Sequence, residues 1–84
     1  MDEFWAFRAD LYNPRFETVA SIVNAMNYLC QDKRFIGLLP DEGMPFVLFS
    51  DEKFARYALE LLEENGCPTD KHIVKVETHG RKNG

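Results

Sequence analysis

The chain has 84 residues and a mass of 9.8 kDa, which is enough for one domain and leaves no room for a second. It is 45% hydrophobic, 13% aromatic and 29% charged, a mixture typical of a globular domain rather than a disordered chain. Ten basic residues against fourteen acidic ones give a formal charge of −4. A negative protein repels phosphate backbones and anionic lipids, so nucleic acid and membrane surfaces are disfavoured as partners.

The charge is unevenly distributed between the domain and its C-terminal end. We predict a single domain over residues 1–79 and a flexible tail over residues 80–84, and the tail holds Arg81 and Lys82. Without these two, eight basic residues stand against fourteen acidic ones, so the domain itself is near −6. With only two cysteines, Cys30 and Cys67, and no signal peptide or long apolar run, we expect a cytoplasmic protein with free thiols.

The first two predicted elements are a strand and a helix. Residues 4–12 alternate, and the odd positions are all apolar: Trp5, Phe7, Ala9 and Leu11. This period of two predicts a strand whose odd residues face the core. Asn13-Pro14 is typical of a helix start, and apolar residues at helical spacing from Phe16 to Cys30 predict a helix that ends near residue 32.

A hairpin, a second helix and a last strand follow. Two apolar runs, residues 35–39 and 46–49, flank a loop with a proline at each end, which predicts a β-hairpin. Ser50-Asp51-Glu52 is typical of a helix N-terminus, and Asn65-Gly66 is typical of a helix end. Residues 72–78 alternate cleanly, with two valines on one face and Lys75 and Glu77 on the other. They form the last predicted strand.

The predicted order is strand, helix, strand, strand, helix, strand. Two right-handed crossovers joined by a hairpin predict an α+β, ferredoxin-like βαββαβ sandwich. Its four-stranded antiparallel sheet has the strand order 4-1-3-2, and both helices lie on one face.

The chain contains no recognised catalytic or cofactor motif. The five glycines are isolated, so no phosphate-binding loop is formed, and no nucleophile or zinc-protease signature is present. Cys67, His72 and His79 do not have zinc-ligand spacing, and the two histidines have opposite parity on a strand. The sequence therefore predicts a protein that is not an enzyme and that binds no metal or cofactor.

Three families with the same predicted topology leave functional alternatives open. Asp10, near the end of the first strand, resembles the metal-binding aspartate of small CRISPR-associated nucleases of the Cas2 type, although it also has Arg8 and Lys75 as predicted ion-pair partners. RNA-recognition modules stack bases on aromatic residues of strands 1 and 3, a role that the resemblance gives to Phe4 or Tyr12 with Phe46 or Phe49. Regulatory domains of the ACT type imply a small-molecule ligand.

Each resemblance departs from its family's pattern. The chain lacks the basic residues and the later strand of the nucleases, and the basic-glycine-aromatic motif of the RNA-recognition modules. The loop after the first strand, residues 11–14, lacks the glycine that ACT domains carry there. A small-molecule ligand is left open, and a nucleic-acid partner is disfavoured.

The uncovered side of the predicted sheet indicates a partner. We predict a polar patch there on strands 1 and 4, formed by Arg8, Asp10, Lys75 and Glu77. The hairpin strands, in contrast, are apolar on both faces, so one apolar set stays outside the core. The predicted contact residues are Phe4, Tyr12, Phe35, Phe46, Phe49 and Ile73, with Arg8 and Lys75 at the rim. We expect a non-catalytic interaction module that acts by protein–protein contact, as a homodimer through the open sheet face or the edge strand.

Overall fold

A computed structural model describes residues 2–11, 16–40 and 44–78 of the chain. The elements are β1 (Asp2–Arg8), α1 (Phe16–Cys30), β2 (Phe35–Leu39), β3 (Phe46–Phe49), α2 (Glu52–Glu64) and β4 (Val74–Thr78). All strand pairs are antiparallel, and the sheet order is β2-β3-β1-β4, which reads 4-1-3-2 from the opposite edge. The chain is therefore an α+β protein with a four-stranded antiparallel sheet and two helices.

Several element boundaries differ from the predicted ones. β1 ends at Arg8 rather than at residue 12, because the chain then turns toward the segment after α2: Ala9 forms an isolated bridge with Thr69, and the Asp10 N–H donates to the Pro68 carbonyl at 2.9 Å. α1 ends at residue 30, and β4 begins at residue 74. The predicted helix start at residues 13–14 and the predicted tail lie outside the described residues.

α2 begins and ends as its sequence predicts. The Asp51 side chain accepts a hydrogen bond from the Phe54 N–H at 2.8 Å, which satisfies one of the unpaired donors at the helix N-terminus. At the other end Gly66 has φ 92, a backbone conformation that glycine adopts without steric cost. Its N–H donates to the Glu63 carbonyl at 3.0 Å, so the chain leaves the helix in the expected left-handed geometry.

Phe49 is the centre of the core. Its side chain is fully buried, and its ring centroid lies 5.6 Å from the rings of Phe7, Phe35 and Phe54. These rings belong to β1, β2 and α2, so one side chain of β3 joins three other elements. Both helices contribute to this same core, which also contains Ala9, Ile22, Ala25, Leu29, Val47, Ala55, Ala58, Leu59, Leu62 and Cys67.

The predicted inward set of β1 is confirmed. Phe7 and Ala9 are fully buried in the core, and Trp5 and Leu11 pack against it. The alternation of the strand therefore directs its odd residues to the helices, as period two requires.

A bulge interrupts the edge strand β2 at Gly37. Phe35 is opposite Phe49 but Gly37 is opposite Leu48, so Ile36 is an extra residue in the ladder. Gly37 has φ 148, a region that residues with a side chain rarely adopt. A Cβ atom built there would meet no atom within 4 Å, so the backbone conformation, and not the lack of space, requires glycine.

We expect Gly37→Ala to lower the free energy of unfolding by about 1–3 kcal/mol through backbone strain alone. Urea unfolding followed by circular dichroism measures this change. A D-alanine at the same position, introduced by chemical synthesis, adopts positive φ and should restore the wild-type stability. Equal stabilities of the L- and D-alanine variants would contradict the strain explanation.

Candidate interaction surface

The register between β1 and β4 assigns each residue of β4 to a face of the sheet. Residues directly opposite each other across an antiparallel pair point to the same side. Trp5 is opposite Lys75, and Ala6 is opposite Val74. Because Trp5 packs against the core, Lys75 lies on the helix-covered side. Ala6 and Val74, one position along, point to the other side.

The predicted polar patch on the uncovered side is therefore wrong for Lys75 and Glu77. Both lie on the helix-covered side at the β4 edge, where Lys75 Nζ is 3.1 Å from Glu3 Oε2 and 3.7 Å from Glu77 Oε2. The hydrogen bond with Glu3 raises the pKa of Lys75, with the charge of Glu3 next in importance. Asp10 lies beyond the end of β1. Of the four predicted members, only Arg8 is on a strand and on the uncovered side.

The side of the sheet away from the helices is almost entirely apolar, and we call it the open face. Within residues 3–8 of β1, 46–49 of β3 and 74–77 of β4, its members are Phe4, Ala6, Arg8, Phe46, Leu48, Val74 and Val76. Leu39, opposite Phe46, and the bulge residue Ile36 extend it onto β2. Val74, Ile36 and Leu39 are 43%, 48% and 51% exposed. Of the strand side chains that the structure describes, only Arg8 brings a charge to this face.

Arg8 contacts an aromatic ring and a backbone carbonyl at one end of the open face. Its guanidinium carbon lies 5.1 Å from the centroid of the Phe46 ring, a cation–π contact, and its Nε donates to the Met44 carbonyl at 3.2 Å. The guanidinium therefore lies at the end of the open face where β3 begins.

Three of the eight predicted contact residues, Phe4, Phe46 and Arg8, lie on the open face. A fourth, Tyr12, lies outside the described residues. Phe4 and Phe46 are half-buried by their strand neighbours, so each presents part of its ring to the outside. Phe4 and Phe46 are therefore accessible from outside, and their contact with a partner stays a prediction.

The other four predicted contact residues are placed elsewhere. Phe49 is fully buried in the core, and Phe35 and Ile73 pack against that core from β2 and from the residue before β4. Lys75 is on the helix-covered side. These four positions are corrected because the pairing between strands directs their side chains toward the helices. The alternation within one strand separates two sets of side chains but does not show which set points to the helices.

Six open-face residues are absent from the predicted contact residues: Ala6, Ile36, Leu39, Leu48, Val74 and Val76. The alternation of β4 separates the valines from Lys75 and Glu77 but does not say which set faces the helices. The valine side chains of such a strand ordinarily point to the core. Here Trp5 is paired with Lys75, so the valines of β4 point to the open face instead. The charged set is tolerated on the helix-covered side because β4 is an edge strand, where Lys75 and Glu77 are still half exposed.

The helix layer carries a second, smaller feature, a groove of about 590 Å³ between the end of α1 and the start of α2. Tyr28 and Tyr57 line it with their ring centroids 6.4 Å apart. At one end Arg34 lies over the Phe54 ring at 4.2 Å and forms a two-pronged ion pair with Asp32, with N–O distances of 2.9 Å and 2.8 Å. The arginine of this groove is thus already engaged by a ring and by a carboxylate.

Histidine, cysteine and carboxylate side chains are the remaining candidates for chemistry. Within residues 2–11, 16–40 and 44–78, no three histidine, cysteine, aspartate or glutamate side chains are placed to hold a metal ion. Both cysteines are free thiols, Cys30 exposed and Cys67 buried. Burial raises the pKa of Cys67 to about 11, and the Asp10 carboxylate acts in the same direction. The resemblances to the nuclease and ACT families stay predictions.

The ion pair at the groove gives a measurable pH dependence. Hydrogen bonds from the Arg34 side chain and backbone lower the pKa of Asp32 from 3.8 to about 2. A carboxyl group with a lowered pKa in the folded state stabilises the fold above its unfolded pKa, and this contribution is lost as the pH falls from about 4 to about 2. We expect an NMR titration to show this lowered pKa and Arg34→Met to return it toward 3.8. An unchanged pKa in the variant would contradict the assignment to Arg34.

No helix among the described residues is both long and apolar enough to cross a membrane. Comparisons of the chain with protein-family models, with curated proteins and with solved structures find no significant match.

Proposed function

We propose that the chain is a non-catalytic, ferredoxin-like interaction module that acts by protein–protein contact through its open face, with a second copy of itself as partner. The βαββαβ order, the antiparallel sheet and the single core shared by both helices support the fold assignment. The observation that carries the function is the composition of the open face.

An apolar sheet face is unusual where only water covers it. Antiparallel sheets with helices on one side normally carry polar side chains on the other. Here residues 3–8, 46–49 and 74–77 of β1, β3 and β4 direct six apolar side chains and one arginine to that side. A contiguous apolar area of this kind is typical of an interaction site.

The charges favour a second copy as the occupant. The chain carries a formal charge of −4, yet within strand residues 3–8, 35–39, 46–49 and 74–77 the acidic side chains, Glu3 and Glu77, point away from the open face. Two acidic bodies that meet through the middle of this face therefore keep these carboxylates apart. The face is also its own complement, because apolar side chains on one copy find apolar side chains on the other.

The area of the open face determines how tightly we expect two copies to associate. Four strands about 4.8 Å apart, with about five residues each at a rise of about 3.4 Å, give roughly 300 Å² of flat sheet per copy. Side-chain relief increases this area, but the roughly 600 Å² of flat sheet in two copies is below the ~1,200 Å² at which stable interfaces begin, in the range of weak and transient contacts. We therefore expect a dimer that dissociates on dilution through the micromolar range.

Size-exclusion chromatography with light scattering tests the dimer directly. The mass should rise from 9.8 kDa toward twice that value as the concentration increases through the micromolar range. A mass that stays at that of the monomer at the highest soluble concentration would overturn the proposal.

A matched pair of substitutions tests the face. Val74→Asp on the open face should weaken association about a hundredfold, because each dimer then buries two carboxylates. Val23→Asp on α1 should leave association unchanged, because this equally exposed valine lies on the helix layer. Light scattering and analytical ultracentrifugation measure both. Equal effects of the two variants would contradict an interface on the open face.

A second pair of substitutions, both on β3, distinguishes a surface position from a core position. Phe46→Asp should give a folded monomer, whereas Phe49→Asp should unfold the domain, because it buries a carboxylate among three rings. Circular dichroism and urea unfolding distinguish the two outcomes. A folded Phe49→Asp protein would contradict the position of this ring in the core.

The RNA-recognition alternative has one observation in its favour, since the rings of Phe4 and Phe46 both lie on the open face. Fluorescence anisotropy with a labelled single-stranded RNA tests it. Binding that weakens as salt increases, and that is lost in Phe46→Asp, would replace the protein partner by a nucleic acid. We expect no such binding, because Arg8 is the only cation that the described strands bring to this face.

A further inference from the structure

The groove between the end of α1 and the start of α2 lies on the opposite side of the sheet from the open face, and the proposed function does not use it. The helix side chains that the structure describes include three large exposed hydrophobic ones, Val23, Tyr28 and Tyr57. Both tyrosines line this groove. A concave surface that gathers aromatic side chains is typical of a small-molecule site.

The aromatic side chains of the groove adjoin each other in a row. The ring centroid of Tyr57 lies 6.4 Å from that of Tyr28 and 5.8 Å from that of Phe54. The two tyrosines are exposed, whereas Phe54 is buried beside them. Aromatic rings attract other rings in stacked and edge-to-face arrangements. The exposed tyrosines therefore offer a flat ligand a surface against which it can pack.

The charged side chains that line the groove are Asp32, Arg34 and Lys53. Asp32 and Arg34 neutralise each other through their two-pronged ion pair. Among the residues that the structure describes, no carboxylate forms an ion pair with Lys53. The lining of the groove thus keeps a positive charge on a chain whose formal charge is −4, and this charge complements an anionic ligand.

The kind of cation and the size of the groove narrow the class of ligand. Phosphate is best recognised by the planar fork of an arginine, but Arg34 is already engaged by Asp32 and by the Phe54 ring. Lys53 is a point charge that can pair with a single carboxylate. The groove volume of about 590 Å³ is within the range of small-molecule sites, so one or two aromatic rings can be accommodated.

We propose that this groove binds a small aromatic carboxylate, with the ring of the ligand against Tyr28 and Tyr57 and its carboxylate on Lys53. This site goes beyond the proposed function, because it lies in the helix layer of one chain and needs no second copy.

Two probes of the same shape test the site, indole-3-acetate and its neutral analogue indole-3-acetamide. A titration followed by ¹H–¹⁵N NMR at constant pH and ionic strength should give saturable shifts in residues 28–34 and 53–57. The groove is open, so we expect dissociation constants in the millimolar range. The acetate should bind about two- to fivefold more tightly than the acetamide, because exposed ion pairs contribute little.

A matched pair of lysine variants tests the role of the charge. Lys53→Met should lower the affinity for indole-3-acetate to that for indole-3-acetamide and leave the affinity for the acetamide unchanged. Lys33→Met removes the same charge from an exposed lysine that does not line the groove, and it should change neither affinity. Equal losses of acetate binding in the two variants would overturn the assignment of the carboxylate to Lys53.

Tyr28→Ala tests the aromatic surface. It should weaken the binding of both probes about threefold or more, because it removes one of the two rings. Circular dichroism shows whether the variant keeps the wild-type fold. Shifts centred on the open face, equal affinities for the two probes in the wild-type chain, or no saturation up to the solubility limit would each overturn the proposal.

Val74→Asp separates this site from the proposed dimer. The substituted valine lies on the open face, so this variant should bind indole-3-acetate as the wild-type chain does. A monomeric chain that binds the probe in the groove would contradict the proposed function and support the groove site. A dimer that does not bind it would overturn only the groove site.

Discussion

The inward orientation of Phe49 is the constraint on which the rest of the structure depends. This ring contacts three other rings, on β1, β2 and α2, and is fully buried. Because strand residues alternate, an inward Phe49 requires an inward Val47 and directs Phe46 and Leu48 to the opposite face. Through its pairing with Trp5, and the pairing of Trp5 with Lys75, the same orientation extends across the sheet to β4. One buried ring thus decides which side chains of three strands lie outside.

The consequence is a sheet with two very different faces. The helix-covered side contains the core and, at the β4 edge, an ion-pair cluster of Glu3, Lys75 and Glu77 in which water screens the charges. The open face holds apolar side chains and Arg8. A chain of this size has two short helices, which cover only one face of four strands. The surplus of apolar residues therefore collects on the other face, and the proposed association with a second copy would remove it from water.

Much of the fold could be predicted from local patterns, because the interactions concerned are local. The limits of α2 depend on contacts within a few residues, from Asp51 to Phe54 and from Gly66 to Glu63, and the sequence shows them directly. The inward set of β1 is similarly evident from its alternation. The contact residues were predicted less well: Phe4, Phe46 and Arg8 are on the open face, whereas Phe35, Phe49, Ile73 and Lys75 are not. Alternation divides a strand into two sets without saying which set is inside.

The sequence by itself determined the number, order and type of the elements, the acidic character of the chain, and an excess of apolar residues on the strands. Only the tertiary structure decided where that excess lies, since the face of each β4 residue depends on its register against β1, a contact between positions some seventy residues apart in the chain. The alternation of valines with charged residues on β4 is compatible with a register that directs the valines inward and with one that directs them outward. The packing of Trp5 and Phe49 under the helices selects one register. Among the described strand side chains, it thereby turns an expected polar patch into a mainly apolar face with Arg8 at one end.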